Sequence, residues 1–173
     1  MLIIILIASC ALVGIDQIIK IWAVENLAGQ SSRQFIKIGG KEIINLTYLG
    51  NDGALFGSFS GMRWLLIISV VILVSACIIF IIKNYKKSSK LLMVSLTLVI
   101  SGGIGNLIDR IFRGGVVVDY IEVRLFNFAI SNFADCCVTI GAIILAVYVI
   151  FIDGKKAKSE LALNEEKVEI KDE

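Results

Sequence analysis

Two aspartates, Asp119 and Asp135, are the groups in this chain best suited to chemistry, and they stand in a sequence that contains no histidine. Without histidine there is no Ser-His-Asp or Cys-His triad and no His-ligated zinc. Two carboxylates held close together cannot both ionise cheaply, so they share a proton and titrate as a pair. The ionised member can take a proton from water while the protonated member donates to a carbonyl oxygen, an arrangement that suits peptide hydrolysis. Other polar residues stand at helical spacing around them. Asn132 precedes Asp135 by three, Asn106 precedes Asp109 and Arg110 by three and four, Asp16 precedes Lys20 by four, and Asn51 sits in a glycine-rich run from Gly50 to Gly57. The acidic-then-basic order of Asp16 and Lys20 favours an ion pair, and Asp109 is expected to engage Arg110. Taken singly, each of these pairs fits a structural tie between helices as well as it fits a site. Ser101 and Ser131 have no base available except a carboxylate or Lys20, which leaves a Ser-Lys dyad as the alternative nucleophile. The cysteines Cys10, Cys77, Cys136 and Cys137 lie in apolar runs without metal-ligand spacing and read as small core residues. No metal and no cofactor is expected.

The elements that must hold these groups are membrane spans. The chain has 173 residues, 57% of them hydrophobic and 18% charged, with a mean hydropathy of +0.88, which is too apolar for an ordinary water-soluble domain. A net charge of +2 gives no footing for a nucleic-acid partner. Four apolar stretches, Leu2 to Val24, Trp64 to Ile82, Leu91 to Ile108 and Phe133 to Ile152, approach the ~20 helical residues that cross a bilayer. The connection from Lys83 to Lys90 carries four lysines in eight residues, and Lys155, Lys156 and Lys158 follow the last span. The other two connections are sparser in cations. Because lysine and arginine gather on the cytoplasmic side, both termini are expected inside and the two longer loops outside. Within the first of these, at about residues 25–62, Gly39-Gly40 separates two β-branched and aromatic runs and predicts a hairpin resting on the membrane surface or the helix ends. The predicted fold is therefore an all-α membrane protein of four transmembrane helices within residues 1–152, with a small outward-facing β-hairpin and a charged, frayed cytoplasmic tail over 153–173.

Ile7-Ala8-Ser9-Cys10 has the texture of a lipoprotein cleavage box. No lysine or arginine precedes it and the apolar run continues through Gly14, so the segment reads as a span and not as a cleaved leader.

On this topology nearly every costly polar group falls at one depth. Asp16 and Lys20 lie in the outer half of the first span, Asn106 to Arg110 end the third, Asn132 and Asp135 open the fourth, and Asn51 and Asp119 stand in the outer connections. Charge inside a bilayer costs ~2.5–3.5 kcal/mol per residue on insertion scales, so this concentration reads as a site. A small ion-coupled transporter would spread its carboxylates along a path through the membrane. An assembly protein would need no carboxylate pair. A prepilin-peptidase-like enzyme would need Gly-x-Gly-Asp, where Gly103-Ile104-Gly105 is followed here by Asn106.

Five motifs, in order, carry a resemblance to a known family: Asp16-Gln17-Ile18-Ile19-Lys20 to D-Q-x-x-K, Asn51-Asp52-Gly53-Ala54-Leu55-Phe56 to N-x-G-A-x-F, Gly105 to Arg110 to G-N-x-x-D-R, Val117-Val118-Asp119 to V-V-D, and Asn132-Phe133-Ala134-Asp135 to N-x-A-D. Each is short; together, from residue 16 to residue 135, the chain resembles the lipoprotein signal peptidases, the signal peptidase II family. It departs from the family where Ala129-Ile130-Ser131 stands before Asn132 in place of a Pro-x-Phe-like segment. The resemblance implies an aspartic endopeptidase of the bacterial cytoplasmic membrane, its site toward the outer face. The implied substrate is a prolipoprotein signal peptide carrying a diacylglyceryl cysteine, embedded in membrane lipid and cut just before that cysteine. Asp119 and Asp135 are implied as the catalytic pair, Asn51, Gly53, Asn106, Arg110 and Asn132 as substrate-binding residues, and Asp16 and Lys20 as residues framing the site. Inhibitors of the globomycin type are implied to occupy the same cleft.

Overall fold

Long runs of Ile, Leu and Val without proline build four helices in the computed structural model, which describes residues 1–54, 58–125 and 129–153. They are α1 (Leu2–Leu27), α2 (Arg63–Asn84), α3 (Lys90–Phe112) and α4 (Phe133–Val147), the last prolonged by a π-helical turn over Tyr148–Asp153. Among the described residues, four helical segments are long and apolar enough to cross a membrane, each running a few residues past or short of its expected span. The charged tail from residue 154 onward lies outside the described residues, as do Leu55 and Phe56 of the N-x-G-A-x-F motif.

The central helix is α3, which packs against the other three. Its contact with α4 is close because glycines line it. A Cβ on Gly102 would collide with the Ala134 carbonyl and the Val138 side chain, and one on Gly141 would meet the Ser95 carbonyl at 2.8 Å. Small residues at such crossings let backbones approach where lipid gives no hydrophobic drive between helices. Apolar side chains point outward instead, with Ile3 71% and Trp64 68% exposed, as a chain solvated by hydrocarbon requires. The chain is a multi-pass membrane protein.

The hairpin forms as its glycine turn predicts. Strand β1 (Arg33–Ile38) pairs antiparallel with β2 (Lys41–Asn51), and Gly39 and Gly40 take φ of 57° and 82°, values that only glycine adopts freely. It does not stand alone on the helix ends, however. A third strand, β3 (Val117–Val123), pairs antiparallel with β2, giving a sheet of order β1-β2-β3. Three strands satisfy the inner edge of a hairpin that would be marginal by itself. Alternation along β3 then sorts its residues by face. Val118 and Tyr120 pack with Ala23 and Leu27 of α1, whereas Val117, Asp119, Ile121 and Val123 line a cavity on the other side.

The expectation that all four cysteines are core residues is corrected: Cys137 is buried and Cys77 half-buried, but Cys10 and Cys136 are exposed. In a membrane-spanning helix an apolar run has a lipid-facing side, so apolar context does not imply burial.

Candidate active site

The cavity of about 760 Å³ lies between the sheet and the ends of α2, α3 and α4. One face of α3 supplies Val99, Gly103, Asn106 and Arg110 at helical spacing, β3 supplies Asp119, the end of β2 supplies Asn51, and the first turn of α4 supplies Asp135. Residues dispersed over 85 positions of sequence (51 to 135) thus meet at one wall.

Asp135 owes its orientation to the start of α4. Asn132 is the N-cap; its Oδ1 accepts from the Asp135 N–H at 2.9 Å, while Asp135 Oδ2 accepts from the Asn132 N–H at 3.1 Å. This is a reciprocal capping box in which the aspartate takes the place usually held by Glu or Gln. The Asn132 amide then reaches across to β3, its Nδ2 donating to Asp119 Oδ1 at 2.6 Å and to Asn106 Oδ1 at 3.2 Å. Asn106 Nδ2 in turn donates to Asp135 Oδ1 at 2.7 Å. Asn51 Nδ2 donates to Asp119 Oδ2 at 2.9 Å. Each of the four carboxylate oxygens therefore accepts an N–H: Asn132 bonds both aspartates and Asn106, Asn106 holds Asp135, and Asn51 holds Asp119. Asp119 is 1% exposed. Burial pushes its carboxyl up to about 6, with the charge of Asp135 adding to the effect and the Asn51 and Asn132 hydrogen bonds opposing it.

Arg110 lines the neighbouring wall, with the buried Gly53 behind it. The Gly53 carbonyl accepts from Arg110 Nη2 at 2.8 Å, and the Gly53 N–H donates to Asn51 Oδ1 at 3.0 Å. Arg110 Nε is buried and has no partner among the described residues.

Asp16 and Lys20 are paired as expected, at 3.0 Å, and both are fully buried behind the cavity wall. Lys20 touches the site through Asn106, donating to its Oδ1 at 2.9 Å. Asp16 reaches α4 by accepting from the Ala134 N–H at 3.0 Å. The expected Asp109–Arg110 engagement is corrected. Asp109 binds Lys20 Nζ at 3.0 Å and Arg113 Nε at 3.1 Å, and its Oδ2 accepts from the Val118 N–H of β3 at 3.1 Å. Neighbours in a helix point about 100° apart, so Asp109 faces α1 while Arg110 faces the cavity. Sequence reading missed Arg113, although its i,i+4 spacing from Asp109 signals the pair. It also missed Gln17, whose Nε2 donates to the Gly105 carbonyl at 3.1 Å. Ser101 donates to the Thr97 carbonyl at 2.7 Å within its own helix and does not line the cavity, which removes it from the Ser-Lys alternative.

A family model described as signal peptidase (SPase) II matches residues 8–151. The lipoprotein signal peptidase of Streptococcus thermophilus (strain CNRZ 1066) is 42% identical over 140 residues, covering 80% of this chain and 87% of the relative. That of Clostridium acetobutylicum is 38% identical over 145 residues, covering 82% and 90%. Two solved structures of bacterial membrane enzymes, obtained by the in meso method, share the fold. One has a TM-score of 0.74 at 28% identity, covering 84% of this chain and 87% of that one. The other has a TM-score of 0.73 at 29% identity, covering 86% and 93%.

Proposed function

Since the chain belongs to the signal peptidase II family, a family of proteases, we propose that it is an aspartic endopeptidase that removes the signal peptide from prolipoproteins, with Asp119 and Asp135 as its catalytic pair. The observation that carries this reading is the asparagine bridge, which holds two carboxylates from different elements at one cavity wall. Asp119, pushed up to about 6, is the member that keeps the shared proton. Asp135 takes a proton from water as the water oxygen bonds to the scissile carbonyl carbon, and Asp119 gives its proton to the carbonyl oxygen. The tetrahedral adduct collapses as its C–N bond breaks: the proton on Asp135 passes to the departing amine, and a hydroxyl proton of the adduct returns to Asp119 as the carbonyl re-forms, which restores the pair. Arg110, with Nη2 spent on Gly53 and Nε open, and Asn51 and Asn106 bind and orient the substrate backbone around the pair, while Asn132, fully buried with its amide engaged, acts on the substrate through the two aspartates it holds. Asp16 and Lys20 act as positioning residues: they hold Asn106 and the start of α4, and make no contact with the cavity.

The cleaved bond lies immediately before a diacylglyceryl cysteine in this reading, with the lipid chains accommodated by the apolar lining from Leu66, Leu73, Val99 and Ile140. Inhibitors of the globomycin type compete for the same cavity. The proposed topology has the turn carrying Lys83, Lys86, Lys87 and Lys90 and both termini in the cytoplasm of a bacterial cell, and the sheet and cavity at the outer face of its membrane; the support is the gathering of lysines on the cytoplasmic side. The transporter alternative is not favoured, since the buried charged groups gather at the sheet end and the opposite halves of the helices bury none among the described residues.

The test is incubation of the purified protein in detergent with a diacylated lipobox peptide and with its unlipidated twin. Cleavage of the first before its cysteine, with little of the second, is expected. Equal cleavage of both would remove the lipid from the recognition, and cleavage of neither would remove the activity.

A further inference from the structure

The half of the molecule away from the catalytic pair contains a second cavity. Helices α1 and α2 both pack on α3 but scarcely touch each other, and the gap between them is a groove of about 500 Å³. Its floor is Ile100 and Ile104 of α3, its α2 wall is Ile78, Ile81 and Ile82, and its α1 wall runs from Leu2 to Gly14. The groove is open because α1 is thin there. Ser9, Cys10 and Gly14 line it, and a Cβ on Gly14 would meet nothing within 4 Å. The Ala8-Ser9-Cys10 stretch, with its look of a lipoprotein cleavage box, thus serves here to narrow a helix.

Twelve helical rises from Leu2 to Gly14 span about 18 Å, close to the depth of one leaflet, about half of a ~30 Å hydrocarbon core. The mouth of the groove is marked by Tyr85, which packs into the same cluster as Leu2 and Ile5. Lys86 Nζ lies 5.9 Å over the Tyr85 ring, and Lys83, Lys87 and Lys90 are exposed in the same turn. A leaflet-length apolar slot that ends under a cluster of cations has the shape and charge of a phospholipid: chain below, phosphate above. We propose that this groove holds an acyl chain of one anionic phospholipid, whose headgroup rests on the lysines between α2 and α3. Clusters of lysine at the end of a membrane helix attract anionic headgroups in this way. The occupant ties α1 to α2, whose direct contacts are few, in the half of the bundle that carries no catalytic residue.

The experiment is native mass spectrometry of the purified full chain in detergent, titrated with phosphatidylglycerol or phosphatidylcholine. The wild type is expected to retain one phosphatidylglycerol at about tenfold lower concentration than phosphatidylcholine. Gly14→Leu and Cys10→Phe, which fill the slot from α1, should each lose that retained lipid while cleaving peptide substrate in lipid-free detergent at the wild-type rate. The pair Lys86→Gln, Lys87→Gln should keep a lipid but lose the preference for the anionic one. Equal retention of both lipids by the wild type, or undiminished retention by both slot-filling variants, would overturn the proposal. So would loss of cleavage by those variants with the lipid count unchanged, an outcome that hands the groove to the apolar segment of the substrate.

Discussion

Asp119 accepts N–H bonds from Asn132 at 2.6 Å and Asn51 at 2.9 Å, yet burial and the charge of Asp135 outweigh them and its carboxyl is pushed up to about 6. A carboxyl raised above its unfolded value of about 3.9 favours the fold while protonated. That contribution is complete below about pH 4 and is lost as pH rises through about 6. Asp119→Asn carries no charge at any pH. Its stability relative to wild type should therefore improve by about 2–3 kcal/mol between pH 4 and pH 8, read as a rise of the variant's melting temperature relative to wild type over that range; an offset that does not change with pH would contradict the assignment. The same substitution should abolish cleavage, and so should Asp135→Asn, in proteins that remain folded and inserted. More than about a tenth of wild-type turnover in either would break the pair, since removing a general acid or base costs on the order of 10²–10⁴ in rate. The wild-type rate should fall at low pH, when both carboxylates are protonated, and at high pH, when neither is. Addition of EDTA should leave that rate unchanged, because all four carboxylate oxygens already accept N–H donors and Asp109 is tied to Lys20 and Arg113.

Elements turn these residues into a site through packing that is only partly legible in local sequence. The spans are readable because a run of Ile, Leu and Val extending for twenty residues has few alternatives, and the Asn132–Asp135 box is readable because capping is a matter of four consecutive residues. Strand β3 is not readable in the same way. Its seven residues are short, and its partner β2 lies about 70 positions earlier, so neither its pairing nor its register has a local signal. Asp109 shows the same limit: its helix offered Arg110 and Arg113, and only the docking of α1, which brings Lys20, and of β3, which brings the Val118 N–H, decides which way it turns. Lys20 serves two carboxylates, and its loss should be severe. Lys20→Met leaves Asp16 without a cation and Asp109 with Arg113 alone, and breaking a buried pair in this way costs about 3–5 kcal/mol. Adding Asp16→Asn should recover part of that loss, not all, because Asp109 remains buried; thermal melting of the two variants and the double distinguishes partial recovery from additive loss. At the α3–α4 crossing, Gly102→Ala has no room, since its Cβ would collide with the Ala134 carbonyl and Val138. It should destabilise by about 1–3 kcal/mol and lower cleavage with it, because Ala134 immediately precedes Asp135.

Across the whole molecule the polar and apolar halves divide by depth. At the sheet end the helices bury Asp16, Lys20, Asp109 and Arg110; at the other end they bury Leu92, Met93, Leu96 and Tyr148 and are joined by a turn carrying Lys83, Lys86, Lys87 and Lys90. This polarity supports the proposed orientation. A lysine-rich turn is held on the cytoplasmic side during insertion, and an even number of spans then returns the chain to the side on which it began. On the proposed reading the sheet faces outward, and with it the cavity, so that a signal peptide already threaded across the membrane would present its far end to Asp119 and Asp135. The prediction is testable without activity. In a variant whose Cys10, Cys77, Cys136 and Cys137 are replaced by alanine, a single cysteine introduced by Lys37→Cys on the exposed strand β1 should react with a membrane-impermeant maleimide in intact cells. One introduced by Ser88→Cys in the lysine turn should react only after the cells are opened. The reverse pattern would put the carboxylate pair on the cytoplasmic side, where it would meet the near end of the signal peptide and not its junction with the mature protein.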